Sequence, residues 1–180
     1  MALVTLSLGS NIERDQHIRV CLDALSETFG ELAISRVYES KPVGFEDGRN
    51  FYNLVVALYS DWSVGELQAW CKRLEAANGR RKDSPKFSPR ILDVDILTVG
   101  EQVGDIDGVS LPRGEILHHA FVLWPMAELL PEHRHPLDGR CYQEIWQAFD
   151  ADDQPLWPIE FHWGDRALPS RAALEGTLEQ

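Results

Sequence analysis

The stretch RRKDSPKFSPRILDVDIL, residues 80–97, joins a basic segment to a short apolar one that contains the pattern D-x-D. The apolar end, ILDVDIL, has the composition and alternation of a β-strand. Side chains two residues apart on a strand share a face, so Asp93 and Asp95 point to one side and Val94 to the other. Two neighbouring carboxylates repel each other unless a cation lies between them. The pattern therefore indicates a site for magnesium with phosphate oxygens, or for an Arg or Lys from elsewhere in the chain.

The basic part of this stretch is unusual because the whole chain is acidic. Residues 80–97 hold five of the seventeen lysines and arginines, whereas the net charge of the chain is −12 at pH 7. A run of like charges is often only a solvated surface, and that interpretation stays open for the segment by itself. Duplex nucleic acid and anionic membranes need a broad basic surface, so the net charge argues against both as main partners. A small anion in one basic pocket is compatible with it.

Length and composition predict a globular protein with one hydrophobic core. The chain has 180 residues, of which 44% are hydrophobic and 26% charged. No apolar run approaches the roughly 20 residues that span a bilayer, and the amino terminus lacks the basic start and long apolar middle of a signal peptide. We therefore expect a cytoplasmic protein. Cys21 and Cys71 fall on apolar helical faces, which predicts buried free thiols rather than disulfides or metal ligands.

Hydrophobic periodicity predicts the order strand, helix, strand, strand, helix, strand up to the D-x-D strand. This is the order of an α+β, ferredoxin-like split β-α-β antiparallel sheet with helices packed on one face. Two short helices are predicted afterwards, one started by Pro125 and one over residues 141–149. The predicted elements are a strand from Leu3 to Gly9, a helix capped by Asn11 and closed by Gly30, strands over 31–40 and 51–60, a helix begun by the capping box of Ser63 and Glu66, and the D-x-D strand.

Two further features of the pattern bear on function and organisation. Glu75 comes one step after Leu74, near the edge of the buried face of the second helix, which is an unusual place for a carboxylate without a task. Residues 1–150 are interpreted as one domain and residues 151–180 as a C-terminal extension. In that extension Trp157, Phe161 and Trp163 alternate like a strand face, which predicts that it packs on the body.

The D-x-D segment resembles the signature of the 6-hydroxymethyl-7,8-dihydropterin pyrophosphokinase family, in which Pro-Arg precedes it by two residues, as Pro89-Arg90 does here. Other motifs follow in the family's order and spacing over roughly residues 3–150. They are LGSN at 8–11, PVG at 42–44, FYN at 51–53, LP at 111–112 and LWP at 123–125. The resemblance implies transfer of pyrophosphate from ATP to the hydroxymethyl group of a pterin, in a monomer or weak homodimer.

The resemblance also implies roles for individual residues. Asp93 and Asp95 match the aspartates that hold two magnesium ions between ATP and the pterin. Phe51 and Phe121 match the aromatic pair that stacks on the pterin ring, and Asn53 matches the residue that hydrogen-bonds its edge. The other implied pterin positions are Ser40, Pro42, Val43 and Gly44. The implied ATP positions are Glu75, Arg80, Lys82, Phe87, Arg90, Ile96, Ser110 and Arg113, of which Arg80, Lys82 and Arg90 are implied to be catalytic together with the two aspartates.

The chain departs from the family pattern mainly after the D-x-D strand. Gly108 stands where an Arg is expected, Arg113 where a His is expected, and Gly114 where an aromatic residue is expected. His119 replaces another Arg, and Ser88 replaces a small residue before the Pro-Arg. Two contacts to ATP are therefore altered, which leaves two alternatives: an active pyrophosphokinase, or a pterin-binding paralogue with little or no transfer. A purely structural ferredoxin-like domain is a third.

Overall fold

The computed structural model describes residues 1–41, 49–79 and 92–175, in which a six-stranded antiparallel sheet forms the centre. The sheet has the strand order β5-β1-β4-β3-β8, and β2 also pairs with β4. In chain order the elements are β1 (Ala2–Ser10), α1 (Arg14–Phe29), β2 (Ala33–Ile34), β3 (Val37–Ser40), β4 (Phe51–Ser60), α2 (Val64–Ala77), β5 (Asp93–Val99), β6 (Gly104–Ile106), β7 (Val109–Leu111), a 3-10 helix (Gly114–Leu117), α3 (Ala120–Leu129), α4 (Tyr142–Ala148), β8 (Leu156–Ile159), β9 (His162–Trp163), β10 (Arg166–Ala167) and α5 (Ala172–Glu175).

The topology confirms the predicted α+β, ferredoxin-like fold. β1 lies between β5 and β4, and every pairing in the sheet is antiparallel. The predicted strand over 31–40 is in fact two short strands, Ala33–Ile34 and Val37–Ser40, which both pair with β4. The sheet thus holds the D-x-D strand at one edge of the ferredoxin-like order, directly beside the first strand.

Helices cover both faces of this sheet, which differs from the expectation of one helical layer. Strand β4 carries the continuous apolar run Leu54–Leu58, and its residues are divided between two clusters of buried side chains. One cluster includes the apolar faces of α1 and α2, with Cys21 and Cys71 as the predicted buried free thiols. The other includes α3 and α4. A strand that is buried on both sides reads as a continuous apolar run, because both faces are packed.

The helix boundaries confirm some local signals and correct others. Ser63 Oγ accepts from the Glu66 N–H at 3.1 Å and Glu66 Oε1 accepts from the Ser63 N–H at 3.0 Å, which is the predicted capping box. Helix α1 ends at Phe29 with Gly30 as its C-cap, as expected, but it begins at Arg14 with Glu13 as its N-cap and no side-chain cap, so the prediction for Asn11 is wrong. Helix α3 begins at Ala120, with Pro125 inside it rather than at its start.

The residues after α4 return to the sheet and then to α1. Strand β8 pairs with β3 and extends the sheet. Phe161 is 3% exposed, and the Arg19 guanidinium lies 4.3 Å above its ring centroid. Trp163 Nε1 donates to Asp23 Oδ1 at 2.8 Å. Within the described residues, no helix is both long enough and apolar enough to span a bilayer.

Candidate functional site

The D-x-D pattern lies on β5, where its register with β1 fixes the direction of each side chain. Asp93 is opposite Gly9 and Asp95 is opposite Ser7. Val94, between the two aspartates, is completely buried in the core below α2, whereas both aspartates are only partly buried. The structure therefore confirms that the two carboxylates share one face of the strand.

The two aspartates open onto a cavity of about 390 Å³, which we call the carboxylate cavity. It brings the D-x-D together with two of the residues expected to bind a pterin, Asn53 and Phe121. The side chains that define it here are Asn53, Lys72, Asp93, Asp95, Arg113 and Phe121. Carboxylates, an amide, an aromatic ring and two cations thus converge on one space.

The amide side of this cavity is closely packed against β1. Asn53 Nδ2 donates to Ser40 Oγ at 3.0 Å, which joins two of the expected pterin residues. Gly9 is the partner of Asn53 in β1, and a Cβ there would lie 2.9 Å from Asn53 Oδ1. A larger residue at position 9 would therefore displace the carboxamide. Phe51 is two residues from Asn53 on β4, so the two side chains share a face of the strand.

Glu75 lies beneath the D-x-D strand. It is 2% exposed, which places it inside the core rather than at the edge of the buried helix face, as its sequence position suggested. Its Oε2 accepts from the Val94 N–H at 2.9 Å, and Lys72 Nζ donates to its Oε1 at 3.2 Å. Burial raises the pKa of Glu75, the Val94 N–H opposes that shift, and Asp93 adds to it. The side chain therefore ties α2 to the backbone between the two aspartates.

The electrostatics of the carboxylate cavity favour the arrival of a cation. Burial raises the pKa of Asp95 to about 7, and repulsion from Asp93 contributes to the shift. Arg113 opposes it, with Nη2 3.5 Å from Asp95 Oδ1. Partly exposed carboxylate oxygens are the donors that Mg²⁺ prefers, usually one or two from the protein with phosphate oxygens and water completing the shell. Asp93 and Asp95 therefore fit a magnesium site in number and kind.

A second cavity, of about 560 Å³, adjoins the first and shares Arg113 with it. We call it the imidazole cavity. Arg113 Nε donates to Glu115 Oε2 at 3.0 Å, which directs the guanidinium along the boundary between the two spaces. Burial lowers the pKa of His119, whose ring centroid lies 5.0 Å from that of Phe121. The residues that define the imidazole cavity here are Gln68, Gly108, Ser110, Arg113, His118 and His119.

Of the remaining expected residues, Ile96 is completely buried in the core, so its side chain does not reach either cavity. Lys72, in contrast, lies in the carboxylate cavity but was not singled out from the sequence, although it stands three residues before Glu75 on the same helical face. Among the described residues, no three His, Cys, Asp or Glu side chains are grouped as a metal site. Outside the described residues lie Pro42, Val43, Gly44, Arg80, Lys82, Phe87 and Arg90.

The family model and the relatives that match this chain belong to the same protein family. The model of the 7,8-dihydro-6-hydroxymethylpterin-pyrophosphokinase (HPPK) family matches residues 5–131. The 2-amino-4-hydroxy-6-hydroxymethyldihydropteridine pyrophosphokinase of Pseudomonas aeruginosa is 38% identical over 149 residues, which cover 81% of this chain and 90% of that protein. The protein of the same name from Aquifex aeolicus is 35% identical over 146 residues, covering 81% of this chain and 91% of the relative.

A solved structure extends the likeness to the fold. Plasmodium falciparum HPPK-DHPS superimposes with a TM-score of 0.62 at 13% identity, covering 82% of this chain. This chain spans 44% of that solved chain, which is less than half of its length. At such low identity the superposition supports the fold alone. It agrees with the antiparallel sheet and the helices that cover it.

Proposed function

The chain belongs to the 7,8-dihydro-6-hydroxymethylpterin-pyrophosphokinase family, and we infer from this that it is an ATP-dependent pyrophosphokinase of folate biosynthesis. Its reaction transfers pyrophosphate from ATP to the hydroxymethyl group of 6-hydroxymethyl-7,8-dihydropterin. ATP is thus a co-substrate, and the pterin is the acceptor. Identities of 38% and 35% to relatives named for this activity favour the active enzyme over a paralogue that only binds pterin.

The assignment of the substrate-binding site rests on the carboxylate cavity. It combines Asp93 and Asp95 with Asn53 and Phe121 in one space. In our proposal the pterin ring lies between Phe51 and Phe121, with its polar edge toward Asn53. The ATP triphosphate lies on the opposite side, toward the aspartates and the imidazole cavity. The hydroxymethyl group and the β-phosphate would then meet beside the D-x-D pattern.

Pyrophosphoryl transfer makes one P–O bond and breaks another. The hydroxymethyl oxygen attacks the β-phosphorus of ATP and gives up its proton to water, the bond from that phosphorus to the oxygen bridging to the α-phosphate breaks, and AMP leaves. The protein contributes mainly by aligning the two substrates and by neutralising charge on phosphate oxygens. Asp93 and Asp95 would hold two magnesium ions, and bound magnesium supplies such neutralisation.

Basic side chains would share that task. Arg113 already lies beside Asp95 and reaches both cavities, so it would contact the triphosphate where it passes the aspartates. Lys72, 53% exposed, would add a second cation from α2. The basic segment contributes Arg80, Lys82 and Arg90 in our proposal, and the expected ATP contacts of Ser110 and Phe87 complete the set. Glu75 would act indirectly, by holding the strand that carries both aspartates.

The activity can be tested directly with purified protein, ATP, magnesium and 6-hydroxymethyl-7,8-dihydropterin. We expect AMP and the pterin pyrophosphate to form in equal amounts, and no AMP to form when the pterin is left out. Release of ADP instead of AMP would contradict pyrophosphate transfer. Pterin binding in calorimetry without any AMP would point to the binding paralogue instead.

We further propose that the enzyme acts in the cytoplasm as a monomer or weak homodimer. The net charge of −12, which argues against duplex nucleic acid and anionic membranes as main partners, supports this proposal. Light scattering on the protein eluting from a size-exclusion column gives its mass over a range of concentrations. A mass of one chain, or one that rises slowly with concentration, is expected, and a stable higher oligomer would contradict the proposal.

A further inference from the structure

The residues that follow α4 provide the cap that α3 lacks in its own sequence. His119 precedes the helix and makes no side-chain hydrogen bond to its first turn. Instead, Gln154 Oε1 accepts from the Ala120 N–H at 2.8 Å, and Gln154 Nε2 donates to the His118 carbonyl oxygen at 3.1 Å. A side chain 34 residues further along the chain therefore binds the backbone on both sides of the helix start.

This first turn of α3 carries Phe121, the ring that faces the carboxylate cavity. Phe121 also borders a third cavity, of about 390 Å³, on whose other side lie Ser40 and residues 153–156. The ring is thus a wall between the space in front of the aspartates and the space beneath the C-terminal segment. Its position depends on where the first turn of α3 begins, because Phe121 is the second residue of the helix.

The same segment is fixed to the opposite wall of the site only two residues later. Leu156 is the β-sheet partner of Ser40, whose hydroxyl accepts from Asn53. Trp157 Nε1 donates to Glu39 Oε1 at 3.1 Å, which strengthens that attachment. Pro155 lies between the two attachments, and its ring restricts the backbone there. One short stretch therefore connects the start of α3 to the strand that carries Ser40.

We propose that Gln154 is a positioning residue for the pterin: its carboxamide fixes the first turn of α3, and with it the Phe121 ring, at a set distance from the wall formed by Ser40 and Asn53. The inference rests on the proposed function, because it concerns the pterin side of the same site. Gln154 acts on the substrate through Phe121 and through the helix backbone. The C-terminal extension is then part of the acceptor site as well as part of the sheet.

The test compares Gln154→Ala with Gln154→Glu and with the control Gln143→Ala, a glutamine exposed on α4. Loss of a helix cap and its hydrogen bonds should weaken pterin binding about three- to tenfold in Gln154→Ala. Gln154→Glu keeps an acceptor for the Ala120 N–H at the positive end of the helix but loses the donor to the His118 carbonyl oxygen, so its pterin affinity should lie between those of Gln154→Ala and the parent. Gln143→Ala should behave like the parent.

Calorimetry with the pterin alone and with a non-hydrolysable ATP analogue separates positioning from general destabilisation. We expect the Kd for the pterin to rise while the Kd for the analogue stays within about twofold, and KM for the pterin to rise with little change in kcat. Equal losses for both ligands, or no loss for the pterin, would overturn the inference. If Gln154→Ala does not fold, Gln154→Asn, which keeps the amide but shortens its reach, takes its place with the same expected loss.

Assaying the parent protein in parallel separates a failure of this inference from a failure of the proposed function. Parent protein that binds the pterin but forms no AMP would overturn the transferase assignment. The difference in pterin affinity between Gln154→Ala and Gln143→Ala would still decide the role of Gln154, since it is measured without turnover.

Discussion

The carboxylate cavity and the imidazole cavity lie side by side and share Arg113, yet they are built in different ways. Three of the six side chains that define the carboxylate cavity, Asn53, Asp93 and Asp95, stand on β4 and β5, two long strands of the central sheet. Those of the imidazole cavity lie outside the central sheet, on α2, in the β6–β7 hairpin and at the two ends of the 3-10 helix. Strand register fixes a side chain on one face, whereas a turn can change its residues without altering the core.

The departures from the family pattern follow this division. Asp93, Asp95 and Asn53 match the pattern, and all three are on strands of the central sheet. Gly108, Arg113, Gly114 and His119 depart from it, and all four are on turns or at helix ends. Positive charge in the imidazole cavity is correspondingly limited, since Arg113 is already paired with Asp95 and Glu115 and burial lowers the pKa of His119. If this division of structure is also a division of function, substitutions in the two cavities should affect the two substrates differently.

The largest effect is expected for Asp95→Asn. In our proposal its carboxylate holds magnesium against the phosphate oxygens, so the variant should lose transfer by at least about a thousandfold, the equivalent of several kcal/mol of charge stabilisation. The fold should remain intact, because removing one of two neighbouring carboxylates relieves repulsion. AMP formation and circular dichroism check the two parts.

Asp105→Asn is the matched control, because Asp105 is an exposed aspartate on β6 and the substitution is the same. It should keep full activity. An Asp95→Asn protein that turns over like the parent, or that unfolds, would show that the D-x-D pattern is not the magnesium site.

Replacement of either phenylalanine is expected to have the next largest effect. Stacking of a base on an aromatic side chain is worth about 1–3 kcal/mol, so Phe51→Ala or Phe121→Ala should weaken pterin binding by that amount. Affinity for an ATP analogue should change much less. Phe149→Ala serves as the control, since Phe149 stacks on Trp146 away from the carboxylate cavity and should affect stability alone. Equal losses for pterin and nucleotide would mean that the two rings are only core packing.

The sequence correctly predicted the structural features that depend on residues close together in the chain. The alternation in ILDVDIL correctly predicts the shared face of Asp93 and Asp95, and the spacing of Ser63 and Glu66 correctly predicts a capping box. The start of α3 could not be predicted in this way, because its cap is Gln154, which is distant in the chain. Pro125 is a strong local signal for a helix start, and a tertiary contact overrides it.

The roles of Glu75 and Lys72 show the same limit within the site. Periodicity placed Glu75 only at the edge of a buried helical face, whereas it lies inside the core, where its partner, the N–H of Val94, belongs to a different element. Lys72 could have been found from its spacing of three to Glu75. Periodicity does not show which strand packs against the helix. Without that information, Glu75 can be predicted as a buried carboxylate but not as a residue that holds the D-x-D strand.

A smaller gain is expected when charge is returned to the imidazole cavity. A charge-assisted hydrogen bond is worth about 1.5–3 kcal/mol, so His119→Arg should raise ATP-analogue affinity or transfer rate about tenfold. Gly108→Arg should give less, because Gly108 has a φ of 82°, a conformation that costs a residue with a side chain about 1–2 kcal/mol. Gly114→Arg has open space and no positive φ, so it is the better second site.

Affinity and kinetics at fixed magnesium, for the single variants and for the pair His119→Arg with Gly114→Arg, check this prediction. His162→Arg, an exposed histidine on β9, is the control for added charge alone. If no variant exceeds the parent or the control, the imidazole cavity does not face the triphosphate. The expected ATP contacts of Ser110 and Arg113 would then have to be withdrawn.

The smallest expected effect is a dependence of stability on pH in metal-free protein. The pKa of Asp95 is raised to about 7 in the folded protein, whereas an unfolded aspartate titrates near about 4. The folded state therefore binds more protons than the unfolded state between these values. Because stability rises with pH only where the unfolded state binds more protons, the contribution of Asp95 falls as pH rises from about 4 through 7 and is constant above.

Comparing the parent with Asp95→Asn isolates this contribution, since the buried histidines titrate alike in both proteins. Asp95 is 27% exposed, and solvent screening reduces the effect, so Asp95→Asn should gain on the order of 1 kcal/mol over the parent at pH 8 and much less at pH 5. Urea unfolding in the presence of a chelator measures both values. Magnesium should shrink the difference at pH 8, because it stabilises the charged carboxylate of the parent alone. No gain, or a loss of similar size at pH 5 and pH 8, would mean that Arg113 already neutralises Asp95. The cation that the carboxylate cavity accepts would then be this arginine.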